Sequence, residues 1–298
     1  MLMAGDNSCH LGGAHDQPLV SVIMSVYNCE ATLAEAVESI FDQTYTNWEF
    51  IVCDDASTDG TLKLLTQLAE RDELGRVKII TNTTNMRLAY SLNRCLEVAS
   101  GELIARMDGD DISEPDRLAR QVEYLAEHPE IALVGSSVRR FSQRGEAEVV
   151  HPAAAAPDKW TMARTSKAPF THGTIMVRRE TFDRIGNYTV VWRTQRGQDA
   201  DLWFKIFAAG FVGHNLPEPL YKVREDAAAI RRRTPLVRLR SFLTYVKGAR
   251  SLGYGPSAYV RAAADLMKIF VPYFMIDRYR AYTAQRSLKH SDQTTTSS

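Results

Sequence analysis

Leu103-Ile104-Ala105-Arg106-Met107-Asp108-Gly109-Asp110-Asp111 is a short apolar run that breaks into three carboxylates around one glycine. Bounded this way, the run reads as a buried strand. In open α/β sheets ligands bind beyond the carboxyl ends of the strands, so the acidic turn stands where a site is expected. Upstream, residues 20–27, 50–53 and 77–80 read as three further strands. Residues 32–41, 61–71 and 88–99 read as the helices between them, with Leu62, Leu65 and Leu68 at helical spacing and Gly101 as a stop. Strands alternating with crossover helices define an α/β fold. Downstream, Ser113-Glu114-Pro115-Asp116 opens a helix over 117–127, and 131–138 and 175–177 read as strands. Helices are expected at 179–185 and at 199–209, the latter ending at Gly210. The alanine-rich stretch 149–167 is poorly patterned and reads as a mobile loop, and Thr234-Pro235 starts a long helical region reaching residue 288 with a break at 253–256.

The 298 residues are 45% hydrophobic and 24% charged, which excludes whole-chain disorder. The formal charge of zero conceals a division. Residues 1–221 carry 21 basic and 31 acidic side chains, whereas 222–298 carry 15 and 5. Cys9, Cys29, Cys53 and Cys95 show no C-x-x-C spacing, which favours free thiols in a reducing cytoplasm. Residues 1–17 lack the basic start and apolar core of a secretory signal and read as disordered, as does the Ser/Thr tail at 291–298. No window reaches the roughly 18 apolar residues that a membrane span needs.

Two acidic clusters carry the chemistry. Asp54-Asp55-Ala56-Ser57-Thr58-Asp59-Gly60 follows the second strand; it reads either as a ligand site or as a solvated turn feeding a helix. An EF-hand calcium loop is excluded because its twelfth position is Thr66. In Asp108-Gly109-Asp110, two carboxylates one glycine apart suit a hard cation, Mn²⁺ or Mg²⁺. Such a cation would be required if the ligand is a nucleoside diphosphate. Like charges about 4 Å apart repel by roughly 4 kcal/mol at an effective dielectric near 20. Phosphatases of the haloacid dehalogenase type also carry Asp-x-Asp after a strand, but on the first strand, which leaves them a distant alternative. The chain has neither G-x-x-x-x-G-K-[ST] nor G-x-G-x-x-G.

The ordered set of residues 18–28, Ser39-Ile40-Phe41-Asp42-Gln43-Thr44-Tyr45, residues 54–61 and residues 105–111 resembles the family 2 glycosyltransferases of bacterial polysaccharide or glycolipid biosynthesis. The resemblance implies a GT-A fold, an α/β architecture with a Rossmann-like mixed central sheet flanked by helices. It spans residues 18–222, with 18–112 as the nucleotide-sugar half and 113–222 as the acceptor half. It implies an inverting transfer from a nucleotide diphosphate sugar, with UDP favoured, to an acceptor hydroxyl on a glycan or lipid-linked acceptor. Ser25, Tyr27, Asn28, Asp54, Asp55, Arg106, Asp108 and Gly109 would then bind the nucleotide sugar. Asp108 and Asp110 would hold the metal, and Asp199 would be the general base, with Asp201 as the alternative. Arg106 stays open between a structural ion pair and a phosphate contact, the structural role being preferred. At the helix N-terminus, Asp199 is expected to be held ionised and so to be a weaker base.

Two positions depart from the family pattern. Gln198 replaces a Glu before Asp199, and Arg224 stands where relatives carry a metal-ligating His. Arg cannot ligate a cation, which leaves His172 open as a third ligand, an acceptor contact or a core residue. These departures motivate a rival reading, a noncatalytic sugar-nucleotide or glycan-binding protein.

Beyond the resemblance, residues 223–290 read as a basic amphipathic helical extension, with Leu236, Leu239, Leu243 and Val246 on one face. Residues 234–288 fit peripheral contact with the inner face of the cytoplasmic membrane, or packing on the catalytic domain or a second copy in a homodimer. No nucleic-acid module accompanies the basic residues.

Overall fold

The computed structural model describes residues 17–142, 145–165, 167–225 and 234–267. The expectations for residues 1–16, for the tail, and for helix beyond 267 lie outside the described residues.

Four strands form as expected: β1 (Val20–Val26), β2 (Trp48–Asp54), β3 (Val77–Thr81) and β4 (Leu103–Asp108). They pair in parallel in the order β3-β2-β1-β4. The sheet then becomes mixed through β8 (Met176–Arg178), β6 (Ile131–Ser142), β9 (Val212–Arg224) and β5 (Ile112–Ser113), and β7 (Gly145–Val150) pairs with β6. Period-two alternation sorts the strand residues. Val20, Val22, Met24 and Val26 of β1 enter one core with α1 (Leu33–Phe41), α2 (Thr61–Ala69) and α4 (Arg117–Glu127). Ile23 faces the opposite core, built with α3 (Leu88–Val98), α5 (Thr161–Thr165), α6 (Arg179–Ile185) and α7 (Gln198–Ala208).

The second core also takes in residues of the C-terminal helices α8 (Pro235–Ser251) and α9 (Pro256–Met267), so this extension packs on the α/β body. A Cβ at Gly248 would run into the Phe204 ring, which shows how closely α8 approaches α7. Tyr245 meets Phe204 edge-on at 5.6 Å, and Tyr254 donates its hydroxyl to the Lys159 carbonyl. The expected mobile loop is therefore anchored at Lys159 and at Ala154, whose carbonyl accepts from Asn215 Nδ2 at 3.0 Å.

β9 has no counterpart among the expected strands. Pro217 and Pro219 argue against a ladder, since proline donates no hydrogen bond. The structure accommodates them at register shifts opposite Ser136 and Ser137.

At the sheet end opposite the acidic turns, the buried Glu49 carboxylate accepts from Ser21 Oγ and Lys78 Nζ at 2.6 Å each and from the Ser100 amide at 2.6 Å. Burial alone would raise its pKa, but these donors outweigh it and hold the group at about 2. A depressed carboxylate stabilises the fold above its unfolded value of 4.5, and that stability is lost as pH falls toward 2. Allowing for the half-exposed Lys78, Glu49→Gln should cost about 2 kcal/mol at pH 7. Urea unfolding at pH 7 and pH 3 checks this: the gap between variant and parent should narrow at pH 3, and equal midpoints at pH 7 would refute it.

Candidate active site

Parallel pairing brings three strand ends level. Ser25 of β1 lies opposite Cys53 of β2 and Asp108 of β4, and Val26 lies opposite Asp54. Both acidic clusters therefore share one edge of the sheet although their sequence positions are far apart.

In the first cluster the two carboxylates divide their tasks. Asp55 is buried and accepts from the amides of Met86 and Arg87 at 2.8 Å each and from Asn82 Nδ2 at 2.7 Å. It thereby fixes the turn that opens α3, where Arg87 has φ 75°. Asp54 accepts the Ser57 amide at 3.1 Å through Oδ2, while its buried Oδ1 has no protein partner among the described residues. Asn28, at φ 52°, ties β1 to this loop: its amide donates to Ser57 Oγ at 3.0 Å and its Oδ1 accepts the Thr58 amide at 2.8 Å. Asn28, Ala56 and Arg87, the described non-glycine residues with positive φ, all flank this one loop. Such strain is retained where surrounding structure enforces it, commonly at ligand sites. Tyr27 is exposed beside it.

In the second cluster the Arg106 guanidinium, itself buried, pairs with both oxygens of Asp108, the preferred structural role for this residue. The Asp108 amide donates to Tyr221 Oη at 3.0 Å. Gly109 sits so close to β1 that a Cβ would lie 2.7 Å from Val26 Cγ1, and its carbonyl accepts from Thr32 Oγ1 at 2.9 Å. Asp110 is exposed. Asp111 is buried, and burial together with Asp108 and Asp110 pushes its carboxyl up to about 8.

Arg224 closes over this turn. Its amide donates to Asp111 Oδ1 at 2.8 Å, its Nε donates to the Asp110 carbonyl at 2.9 Å, and its guanidinium pairs with Glu35 of α1. Sequence reasoning placed Arg224 near the metal but missed Glu35, Tyr221 and Arg117, whose buried guanidinium donates to the Arg106 carbonyl at 2.8 Å. A buried arginine at the start of α4 carries no local sequence signal.

Asp199 lies in the first turn of α7, half-buried. Burial raises its pKa, and the amides of Ala200 and of Asp199 itself offset only part of that effect. The helix-terminus expectation of a weakened base is therefore corrected, because desolvation outweighs the amides. Asp201 is committed elsewhere, pairing with Arg193 Nη2 at 2.6 Å and accepting from Thr189 Oγ1 at 2.6 Å. His172 Nε2 lies 2.9 Å from Tyr188 Oη, and burial with the nearby Arg106 charge holds the ring well below its usual pKa and so neutral.

Among the described residues, no group of three His, Cys, Asp or Glu side chains is placed to hold a metal alone. Asp110 nonetheless offers an exposed carboxylate, and Asp108, although both its oxygens are paired with Arg106, keeps a second lone pair on each; Mg²⁺ in nucleotide sites is ordinarily held by one or two carboxylates plus phosphate oxygens and water. The crowding recorded at Asp111 is the kind a divalent cation relieves. The donor set fits a metal that arrives with a diphosphate.

Comparison with known proteins places this fold. The fold is that of the GT-A glycosyltransferases: S. aureus TarS in complex with UDP superposes with a TM-score of 0.61 at 17% identity, covering 92% of this chain and 77% of that one. Mannosyltransferase PcManGT from Pyrobaculum calidifontis, in complex with GDP-Man and Mn²⁺, superposes with a TM-score of 0.58 at 22% identity, covering 91% and 81%. The sequence model for glycosyl transferase family 2 matches residues 21–194, and the chain belongs to that family. It is 45% identical over 263 residues to the putative glycosyltransferase EpsE of Bacillus subtilis (strain 168), covering 88% of this chain and 93% of the relative.

Proposed function

We propose that the chain is an inverting glycosyltransferase that moves a sugar from a nucleotide diphosphate sugar, a UDP-sugar by preference, to an acceptor hydroxyl in cell-surface polysaccharide or glycolipid assembly. The observation that carries this reading is the convergence of the Asp54 and Asp108 strand ends on one sheet edge, with Asp110 in the turn that follows Asp108. The orphaned Asp54 Oδ1 is an acceptor suited to an N–H of the base, and Asp55 with Asn28 holds the loop around it. Ser25 and Tyr27 lie along the same edge. Asp108 and Asp110 would hold a divalent cation, which when bound neutralises the diphosphate charge and stabilises the departing phosphate oxygen.

Asp199 takes the proton of the acceptor hydroxyl. The freed oxygen attacks the anomeric carbon as the bond from that carbon to the diphosphate oxygen breaks, and the configuration inverts. A carboxylate made more basic by desolvation suits the proton transfer. Asp201 instead positions the loop before α7 through Arg193, and neutral His172 braces Tyr188. Release of nucleotide from a panel of sugar nucleotides with Mn²⁺ tests the reading. One donor should turn over; nucleotide that binds without ever turning over would favour the noncatalytic reading, to which Gln198 and Arg224 point.

The extension supports peripheral contact with the inner face of the cytoplasmic membrane. Leu236, Leu239 and Leu243 remain exposed on α8, beside Arg240 and Lys247, after its other face has packed on the body. Among the described residues no helix is long and apolar enough to cross a membrane. Replacing the three leucines by Ser should abolish flotation with anionic liposomes at low salt, and flotation that survives all three changes would refute the contact.

A further inference from the structure

The Arg224 side chain is held beside the acidic turn at 108–111 by three contacts of different kinds. Its Nε donates to the Asp110 carbonyl at 2.9 Å, its guanidinium lies 4.4 Å over the Phe141 ring of β6, and its Nη2 pairs with the Glu35 carboxylate on the first turn of α1. The main chain anchors the same residue, because the Arg224 amide donates to Asp111 Oδ1. The carbonyl and the ring belong to the sheet end, whereas the Glu35 side chain is 61% exposed. Ion pairs with so exposed a partner add little to stability. Glu35 is therefore the contact that a competing anion can displace while the guanidinium plane stays in place.

Carboxylate and phosphate offer an arginine fork a similar pair of oxygens. The turn that Arg224 touches is the one proposed above to receive a diphosphate. Arg106, the buried cation of that turn, is already committed to both oxygens of Asp108. Charge that collects on a diphosphate oxygen, as its bond to the anomeric carbon breaks, is best met by a cation fixed in advance. Arg224 is a cation so fixed.

We propose that Arg224 is a catalytic residue that clamps the leaving diphosphate, and that Glu35 occupies its fork until the donor displaces it. The assignment rests on the glycosyl-transfer reading above and makes Glu35 a competitor of the donor. A purely structural strap between β9 and α1 has the opposite consequence, since removing either partner would then loosen the turn and weaken binding.

Titration calorimetry of UDP and GDP with Mn²⁺ tests the exchange on the full chain, on Glu35→Gln, on Arg224→Gln and on the double variant. For a nucleotide that the unaltered chain binds, Glu35→Gln should tighten affinity about two- to fivefold, the range set by the strength of an exposed ion pair. Arg224→Gln should weaken it roughly tenfold or more, and should lower kcat at saturating sugar nucleotide by a similar factor. In the Arg224→Gln background Glu35→Gln should gain nothing, because its effect passes through the guanidinium. Thermal unfolding checks that each variant retains the fold, and Glu35→Gln, on an exposed helix turn, carries the test if Arg224→Gln does not fold. Unchanged or weaker affinity in Glu35→Gln, a gain that persists without Arg224, or parental affinity in Arg224→Gln overturns the proposal, as does binding of neither nucleotide by the unaltered chain. Failure of the glycosyl-transfer reading shows separately: the affinities respond as stated, yet no nucleotide is released from any sugar nucleotide.

Discussion

Asp199→Asn should lower kcat by about 10²–10⁴, the range typical for loss of a positioned general base, with little change in the KM for the donor. The substitution preserves shape and the amide contacts of the α7 first turn while removing the proton acceptor. Because burial raises the Asp199 carboxyl above its ordinary value of 3.8, the acid limb of the kcat profile should lie above that value. The sign follows from the ionised form being the active one: a raised pKa moves the loss of activity to higher pH. Asp201→Asn should act differently. It breaks a largely buried pair with Arg193, at a cost of about 3–5 kcal/mol in stability. Thermal unfolding beside steady-state kinetics separates the two. An Asp199→Asn enzyme with unaltered kcat would remove this residue from the mechanism.

Asp110→Ala should reduce turnover by roughly 10² or more, as expected when charge stabilisation of a leaving group is lost. Asp110 is exposed, so the effect should appear in catalysis and metal response rather than in the melting temperature. Chelation should have a similar effect on the unaltered chain and be reversed by Mn²⁺ or Mg²⁺. Turnover that survives both Asp110→Ala and chelation would contradict the metal assignment.

The parallel half of the sheet was legible in the sequence because its strands are continuous apolar runs and its helices keep a clear 3.6-residue period. Asp108 and Asp110 were legible because neighbouring residues on one turn need no tertiary knowledge. β9 was not, since Pro217 and Pro219 speak against a strand locally and only pairing with β6 overrules them. The contacts that finish the site were also invisible. Tyr221 reaches the Asp108 amide, and Arg224 reaches Glu35, across chain separations that no local pattern encodes. The basicity of Asp199 was misjudged in sign because a helix terminus can be read from sequence while burial by another element cannot. The opposite charges of the two halves, by contrast, were legible from composition alone.

The central claim is that the acidic strand ends receive a nucleoside diphosphate through a divalent cation. Titration calorimetry of UDP and GDP, with and without Mn²⁺, against the unaltered chain and Asp110→Ala tests it most directly. One nucleotide should bind with Mn²⁺ and bind at least tenfold more weakly when either the metal or the Asp110 carboxylate is removed. Absence of binding by both nucleotides, or affinity indifferent to Mn²⁺ and to Asp110, would contradict it.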